Sequence, residues 1–249
     1  MDQLCIDQSS TIDKQGSVAA MDVIYRSYIR LLVLLEDVLL DGQEAILSEK
    51  YNPSKRTGVP NWTPPMEERG VFISFYKKVN AVRWWDRAWC FHEFNVNEPW
   101  SEKRQGNEIH NATFIVNGPE GSTIKIKWYS LHFIMATAID LLPRTPDNKS
   151  PMDDFKGTAI FVAIDAGDRY SMERFRSSLM ARHNAVSQKD CRHPADKLSI
   201  MINMSRLGLA YMGPTIKTKE EVLYISVLLA LAADEVYPLT MFVRSTRSG

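Results

Sequence analysis

The sequence is poor in cysteine, and its three cysteines, Cys5, Cys90 and Cys191, lie far apart. No C-x-x-C pair occurs, so neither a disulfide framework nor a zinc-ligand pattern is indicated. The chain also lacks net charge, since 30 basic residues balance 30 acidic ones. That balance argues against a general binder of nucleic acid or of anionic membranes. Long apolar runs are missing too. The longest, Val222 to Ala233, is interrupted by Tyr224 and Ser226 and is too short to span a bilayer. The opening M-D-Q-L-C-I-D-Q has no basic region leading into an apolar stretch, so it does not read as a signal peptide. No G-x-G-x-x-G, P-loop or internal repeat is visible. Together these absences lead to the expectation of a soluble cytoplasmic protein with reduced thiols, no metal and no phosphate cradle.

What the chain does have is ordinary globular composition, 45% apolar and 24% charged over 249 residues, enough for one large domain or two small ones. It also has one concentrated stretch. Arg83 to Phe94, R-W-W-D-R-A-W-C-F-H-E-F, holds three of the six tryptophans, a cysteine, a histidine and a carboxylate. Read as a helix from about Trp84 to Val96, it places Trp85, Trp89 and Glu93 on one stripe at i, i+4 spacing.

Taken in order, Asp2 to Ile6 reads as the end of a strand, followed by turn and cap signals at Ser9 to Thr11. Val18, Met21, Ile24 and Tyr25 recur at helical spacing. Ile29 to Leu35 is an almost continuous apolar run, which fits a parallel strand buried on both faces. A strand end, a helix and a buried strand make a β-α-β unit, and such units build parallel sheets. Val38 to Ser48 reads as a second helix. Tyr51 to Gly70, with four prolines, reads as an exposed loop or insertion. Val71 to Val79 is amphipathic and leaves helix and strand open. His110 to Val116 and Ser122 to Trp128 alternate around N-G-P-E-G, a hairpin pattern. Ser130 to Leu142 is an apolar helix ended by Pro143. Thr145 to Lys156 reads as a linker. Beyond it, Met172 to Arg182, Ala195 to Asn203 and Lys219 to Ala233 carry helical patterns.

Two stretches together resemble a known family. M-D-Q-L-C-I-D-Q with Met21, Ile24 and Tyr25 resembles the central motif of the fungal heterokaryon incompatibility (HET) domain. R-A-W-C-F-H-E resembles that family's later R-x-W-x-x-Q-E motif, and the two stand in the family's order over about residues 1 to 96. P-A-D-K-L-S-I with N-M-S-R-L-G-L resembles the helical segment behind many HET domains. His92 stands in place of the usual Gln and Asp7 in place of the usual Asn. The family's first strand and its S-Y-x-W-G-like motif have no counterpart here. The resemblance therefore implies an N-terminally truncated HET domain over residues 1–142, lacking its first strand, and a mainly helical extension over 143–249. The implied fold class is α/β, a TIR-like or flavodoxin-like parallel sheet with flanking helices.

HET domains are in turn similar to TIR domains, and TIR domains that cleave NAD carry their catalytic carboxylate in a W-C-x-x-E segment. Trp89, Cys90 and Glu93 reproduce that spacing. The resemblance thus implies Glu93 as the catalytic carboxylate, NAD or NADP as substrate rather than cofactor, and Trp85 and Trp89 as surfaces for a nicotinamide or adenine ring. Asp7 and Gln8, at the carboxyl end of a strand, join the substrate-binding candidates. Simpler roles stand beside these. Glu93 can pair with Arg83 or Arg87, and Asp7 can cap a helix. Cys5 and Cys90 read as small core residues, Arg83 and Arg87 as a phosphate clamp or a solvated face, His92 as a general base or, the commoner case, a helix-surface histidine, and His183 and His193 as surface residues. The function the resemblance implies is a fungal incompatibility or innate-immunity effector that triggers programmed cell death. Its partners would be a second copy of itself or another incompatibility or NLR-type protein. The alternatives are a non-enzymatic, self-associating signalling module and a non-functional fragment.

Overall fold

A computed structural model describes residues 17, 20, 21, 23, 25, 27, 30–51, 62–95, 112–143, 178–205, 209, 211 and 213–235. The reading of Asp2 to Ile6 as a strand end and that of 145–156 as a linker lie outside these residues. Contacts group the chain into two units. One comprises 29–85 and 98–162, the other 1–28, 86–97 and 163–249. This grouping interleaves the chain, whereas the sequence reading divides it at 142.

The first unit holds the sheet. The leucine run forms β1 (Leu31–Leu39), which pairs in parallel with β2 (Ala112–Asn117). β2 pairs antiparallel with β3 (Thr123–Lys127). The sheet is therefore mixed, in the order β1-β2-β3, rather than parallel throughout. The cause is the length of the β2–β3 connection. Residues 118–122 suffice for a hairpin, while a parallel return needs a dozen residues or more. The hairpin expected around N-G-P-E-G is present. The Gly118 amide donates to the Ser122 carbonyl at 2.7 Å, and Glu120 and Gly121 take left-handed backbone angles, φ 56° and 74°.

The register sorts the sheet's faces. Val33, Phe114 and Ile126 are aligned across the three strands and all are buried, as are Leu35 and Val116 in the next such row. The alternate rows carry Leu32 with Thr113 and Lys127, and Leu34 with Ile115 and Lys125. There Leu32 is 62% exposed and Leu34 58%. The expectation of a strand buried on both faces is thus corrected: β1 alternates, with one face in the core and the other open.

Among the described residues, three α-helices belong to this unit. Asp41 starts α1 (Gly42–Lys50) with a capping box, its carboxylate accepting from the Gln43 and Glu44 amides while Glu44 reaches back to the Asp41 amide. Glu44 is fully buried and also accepts from Ser74 Oγ at 2.7 Å and Lys78 Nζ at 2.5 Å. Both donors sit on α2 (Arg69–Asn80), the stretch whose sequence left helix and strand open. The Tyr51 to Gly70 segment, expected to be an exposed loop, is anchored at its described ends. Tyr51 is buried against Trp62, Phe72 and Phe133, with ring centroids 5.1–5.9 Å away, and Pro64 is buried as well. The apolar helix α4 (Trp128–Leu141) packs on α2 and stacks its first residue, Trp128, against Phe114.

The second unit is helical. Ser17, Ala20, Met21, Val23, Tyr25 and Ser27 all have helical backbone, as expected of the stretch that holds Met21 and Tyr25, while Val18 and Ile24 lie outside the described residues. Later in the chain come α3 (Ala88–Asn95), α5 (Leu179–Ser187), α6 (Pro194–Ser205) and α7 (Lys219–Ala232). The last three share a core of Leu179, Leu198, Met201, Ile202, Val222 and their neighbours. Of the Met172 to Arg182 helix, the part from Leu179 is described and is helical. Thr218 and Glu221 form the capping box that begins α7. The carboxylate of Glu235 accepts from Ser178 Oγ and from the Leu179 amide, so it caps α5 from the far end of this helical group. No helix among the described residues is long and apolar enough to cross a membrane.

Candidate functional site

The stretch from Arg83 to Phe94 is not one helix. Arg83–Asp86 forms a short 3-10 turn, Arg87 is extended, and α3 begins at Ala88. The break has a specific cause. The Ala88 amide donates to the Asp190 carbonyl at 2.9 Å, and Arg87 forms a parallel bridge with Asp190. An amide held from outside cannot make the i→i−4 bond that would continue the helix through this point. The stripe of Trp85, Trp89 and Glu93 is therefore divided.

Trp85 belongs to the sheet-bearing unit and is almost completely buried. Its indole N–H donates to the Val79 carbonyl at 2.9 Å, and its ring stacks on Phe114 at 5.9 Å. Trp89 and Glu93 belong to the helical unit, one turn apart on α3, and both are half-buried. Asp7 and Gln8 lie outside the described residues. Arg83 and Arg87 are both exposed.

The rest of α3 is core. Ala88, Cys90, Phe91, His92 and Phe94 are buried. Cys90 thus takes the core role expected of it. His92 does not match the surface histidine that the sequence suggests: it is 0% exposed. Its ring meets two others, Tyr25 at 5.2 Å and Trp89 at 5.6 Å, both edge to face. Phe91 meets the Lys189 ammonium 5.8 Å from its ring centre, a cation–π contact with a buried lysine.

Each polar group on the half-buried side of α3 is held by a residue that the sequence reading had not assigned to the site. The Tyr25 hydroxyl donates to Glu93 Oε1 at 3.0 Å. The Trp89 indole donates to Asp196 Oδ2 at 3.3 Å, and the Cys191 thiol donates to the same oxygen at 3.7 Å. Burial and then the Asp196 charge push the Cys191 thiol up to about 11, so it stays protonated at neutral pH and is no nucleophile. The result is a string of side chains, Glu93, Tyr25, His92, Trp89, Asp196 and Cys191, drawn from three parts of the chain. Tyr25 and Asp196 both stood in motifs noticed in the sequence. What the sequence does not carry is the pairing, since their partners are 68 and 107 residues away.

A second histidine departs from expectation. His183 on α5 is half-buried with Nδ1 3.0 Å from Ser226 Oγ on α7. Ser226 itself donates to the Val222 carbonyl at 2.7 Å, so the serine oxygen accepts from the histidine ring. Burial, and then the nearby Lys197 charge, hold His183 below its ordinary range. Ser226 is 0% exposed, which makes this pair a helix-to-helix tie. His193 is exposed, as read. Among the described residues, no group of three or more His, Cys, Asp or Glu is placed to hold a metal ion.

The arrangement offers a half-buried carboxylate with one oxygen held by a phenol, next to a half-buried indole. The described residues as a set are mixed α/β and mostly helical. Residues 1–93 match the family model of the heterokaryon incompatibility protein (HET). The match ends on Glu93 itself. No curated protein and no solved structure matches the chain.

Proposed function

We propose that this protein is an effector of the heterokaryon-incompatibility type that acts in programmed cell death by hydrolysing NAD or NADP. The observation that carries the reading is the half-buried Glu93 carboxylate at the end of the HET-matched segment, held by Tyr25 and one helical turn from Trp89. The W-C-x-x-E spacing of Trp89, Cys90 and Glu93, which resembles that of NAD-cleaving TIR domains, supports it further, as does the α/β character of the chain. On this reading the fold is a TIR-like variant. Asp7, Gln8 and Trp89 are its substrate-binding residues, Trp85 serves as a core residue of the sheet-bearing unit, and the protein acts in the cytoplasm.

In the reaction, the bond between C1′ of the ribose and the nicotinamide nitrogen breaks, and nicotinamide leaves with the electron pair. The ribosyl carbon becomes an oxocarbenium-like cation, and a carboxylate beside it stabilises that charge. Water then adds at C1′ and releases a proton, giving ADP-ribose. Trp89 offers a flat face for a ring of the dinucleotide. The test is direct: the purified chain mixed with NAD releases nicotinamide, and folded Glu93→Ala does not. Equal release by the two proteins would sink the assignment.

One observation favours a second reading, a self-associating signalling module without turnover. Tyr224, Leu228 and Leu231 lie on one stripe of α7 and are exposed. Light scattering over a concentration series separates the two readings, since the module assembles with concentration and releases no nicotinamide.

A further inference from the structure

Glu93 can serve a ribosyl cation only if its carboxylate is ionised and points the same way each time substrate arrives. A carboxylate on a short helix has two free torsions before its terminal group, and a half-buried one has lost part of its hydration. Both problems are met by a donor fixed from another element. The Tyr25 hydroxyl is such a donor, 3.0 Å from Oε1. The phenol is itself held in place. Its ring makes an edge-to-face contact with His92 at 5.2 Å, and His92 is fully buried and also meets Trp89. His92 and Glu93 are consecutive on α3, so the same tyrosine grips two neighbouring side chains, one through its ring and one through its hydroxyl.

We propose that Tyr25 is a positioning residue of the site, fixing the Glu93 carboxylate through Oε1. The inference rests on the glycohydrolase reading of Glu93 and adds a residue to it. A hydrogen bond to the charged form of an acid favours that form, and a bond to a charged group is worth more than a neutral one. Removing the hydroxyl therefore acts on turnover and on its pH profile rather than on substrate affinity.

The experiment compares NAD turnover by the full chain with that of Tyr25→Phe, Glu93→Gln and the double variant. Phenylalanine keeps the ring against His92 and removes only the donor. Tyr25→Phe is expected to lower kcat about tenfold to a hundredfold with KM within about twofold. The acid limb of its kcat/KM profile moves to higher pH, and the double variant is no worse than Glu93→Gln alone. If Tyr25→Phe keeps wild-type kcat and acid limb while Glu93→Gln is inactive, Tyr25 has no positioning role and the assignment of Glu93 stands. A lowered melting temperature with unchanged kcat and acid limb marks Tyr25 as structural and overturns the proposal equally. No nicotinamide release by the wild-type chain overturns the glycohydrolase reading and this inference with it. Should Tyr25→Phe fail to fold, Tyr25→3-fluorotyrosine keeps the shape and strengthens the donor. It is then expected to move the acid limb to lower pH, and an unmoved limb overturns the proposal.

Discussion

The indole of Trp89 donates to the carboxylate of Asp196, 107 residues further along the chain. Trp89 lies inside the HET-matched segment and Asp196 well beyond it. The helix on which the matched region ends, α3, is thus held from outside that region. A second tie runs the same way, from the Ala88 amide to the Asp190 carbonyl.

Removing the acceptor has two readable effects. Asp196→Ala deprives Trp89 of its partner and is expected to lower stability by about 1–2 kcal/mol. It also removes a charge that holds the Cys191 thiol up, so that thiol moves toward its ordinary range. Alkylation of Cys191 at mildly basic pH should then run faster than in the wild-type chain, with peptide mapping to assign the site. A slower or equal rate would contradict the placement of Asp196 beside the thiol.

The buried Glu44 makes a stronger test of the sheet-bearing unit. It accepts from the Asp41 amide, Ser74 and Lys78, and so joins α1 to α2. Glu44→Ala leaves those donors without their acceptor and is expected to cost about 2–3 kcal/mol. Urea denaturation followed by far-UV circular dichroism would show the midpoint fall. Lys78→Ala should cost less, because the lysine is partly exposed and its loss leaves the carboxylate with two donors.

His183 makes the helical unit sensitive to acid. Its folded-state value is depressed by burial and by Lys197, so the folded chain binds this proton less readily than the unfolded chain does. Stability from this group is complete above the unfolded value near 6.5 and is lost as pH falls from there toward the folded value. The wild-type unfolding midpoint should therefore decline on acidification through that window. His183→Asn, which cannot titrate there, should decline less steeply, and parallel curves for the two proteins would rule the mechanism out.

Gly118 tests the hairpin. A Cβ at this position would lie 2.5 Å from Ser122 Oγ and 2.7 Å from the end of Ile124. Gly118→Ala should destabilise the chain by about 1–3 kcal/mol, because a strand-end turn packed this tightly must shift to admit a methyl group. Gly118→Ala combined with Ser122→Ala and Ile124→Val should recover part of the loss, as read by thermal unfolding.

Periodicity and turn chemistry made much of the fold legible. Apolar spacing announced α4, α6 and α7, and N-G-P-E-G announced the hairpin, because local patterns of that kind need no distant partner. The leucine run misled for a physical reason. Leu32 and Leu34 are as apolar as Val33 and Leu35, so nothing in the run says that one face is left open. The helix through Arg83 to Phe94 failed for a different reason. Its interruption is made by Asp190, and no window of sequence around Ala88 contains that residue. The same holds for the candidate site. Trp89 and Glu93 were visible as a motif, while Tyr25 and Asp196 became partners only through folding.

The bond between Glu235 and the start of α5 has one more consequence. It brings together two points of the chain 56 residues apart, Leu179 and Glu235, so the segment holding α5, α6 and α7 begins and ends at one place. Closing a loop of that length costs on the order of 3–4 kcal/mol in chain entropy, which the shared core of the three helices must exceed. A segment whose ends meet is a cassette. Its two ends are joined by the carboxylate clasp at its neck, while Asp190 and Asp196 inside it hold α3, so a change of length is best borne away from those three points.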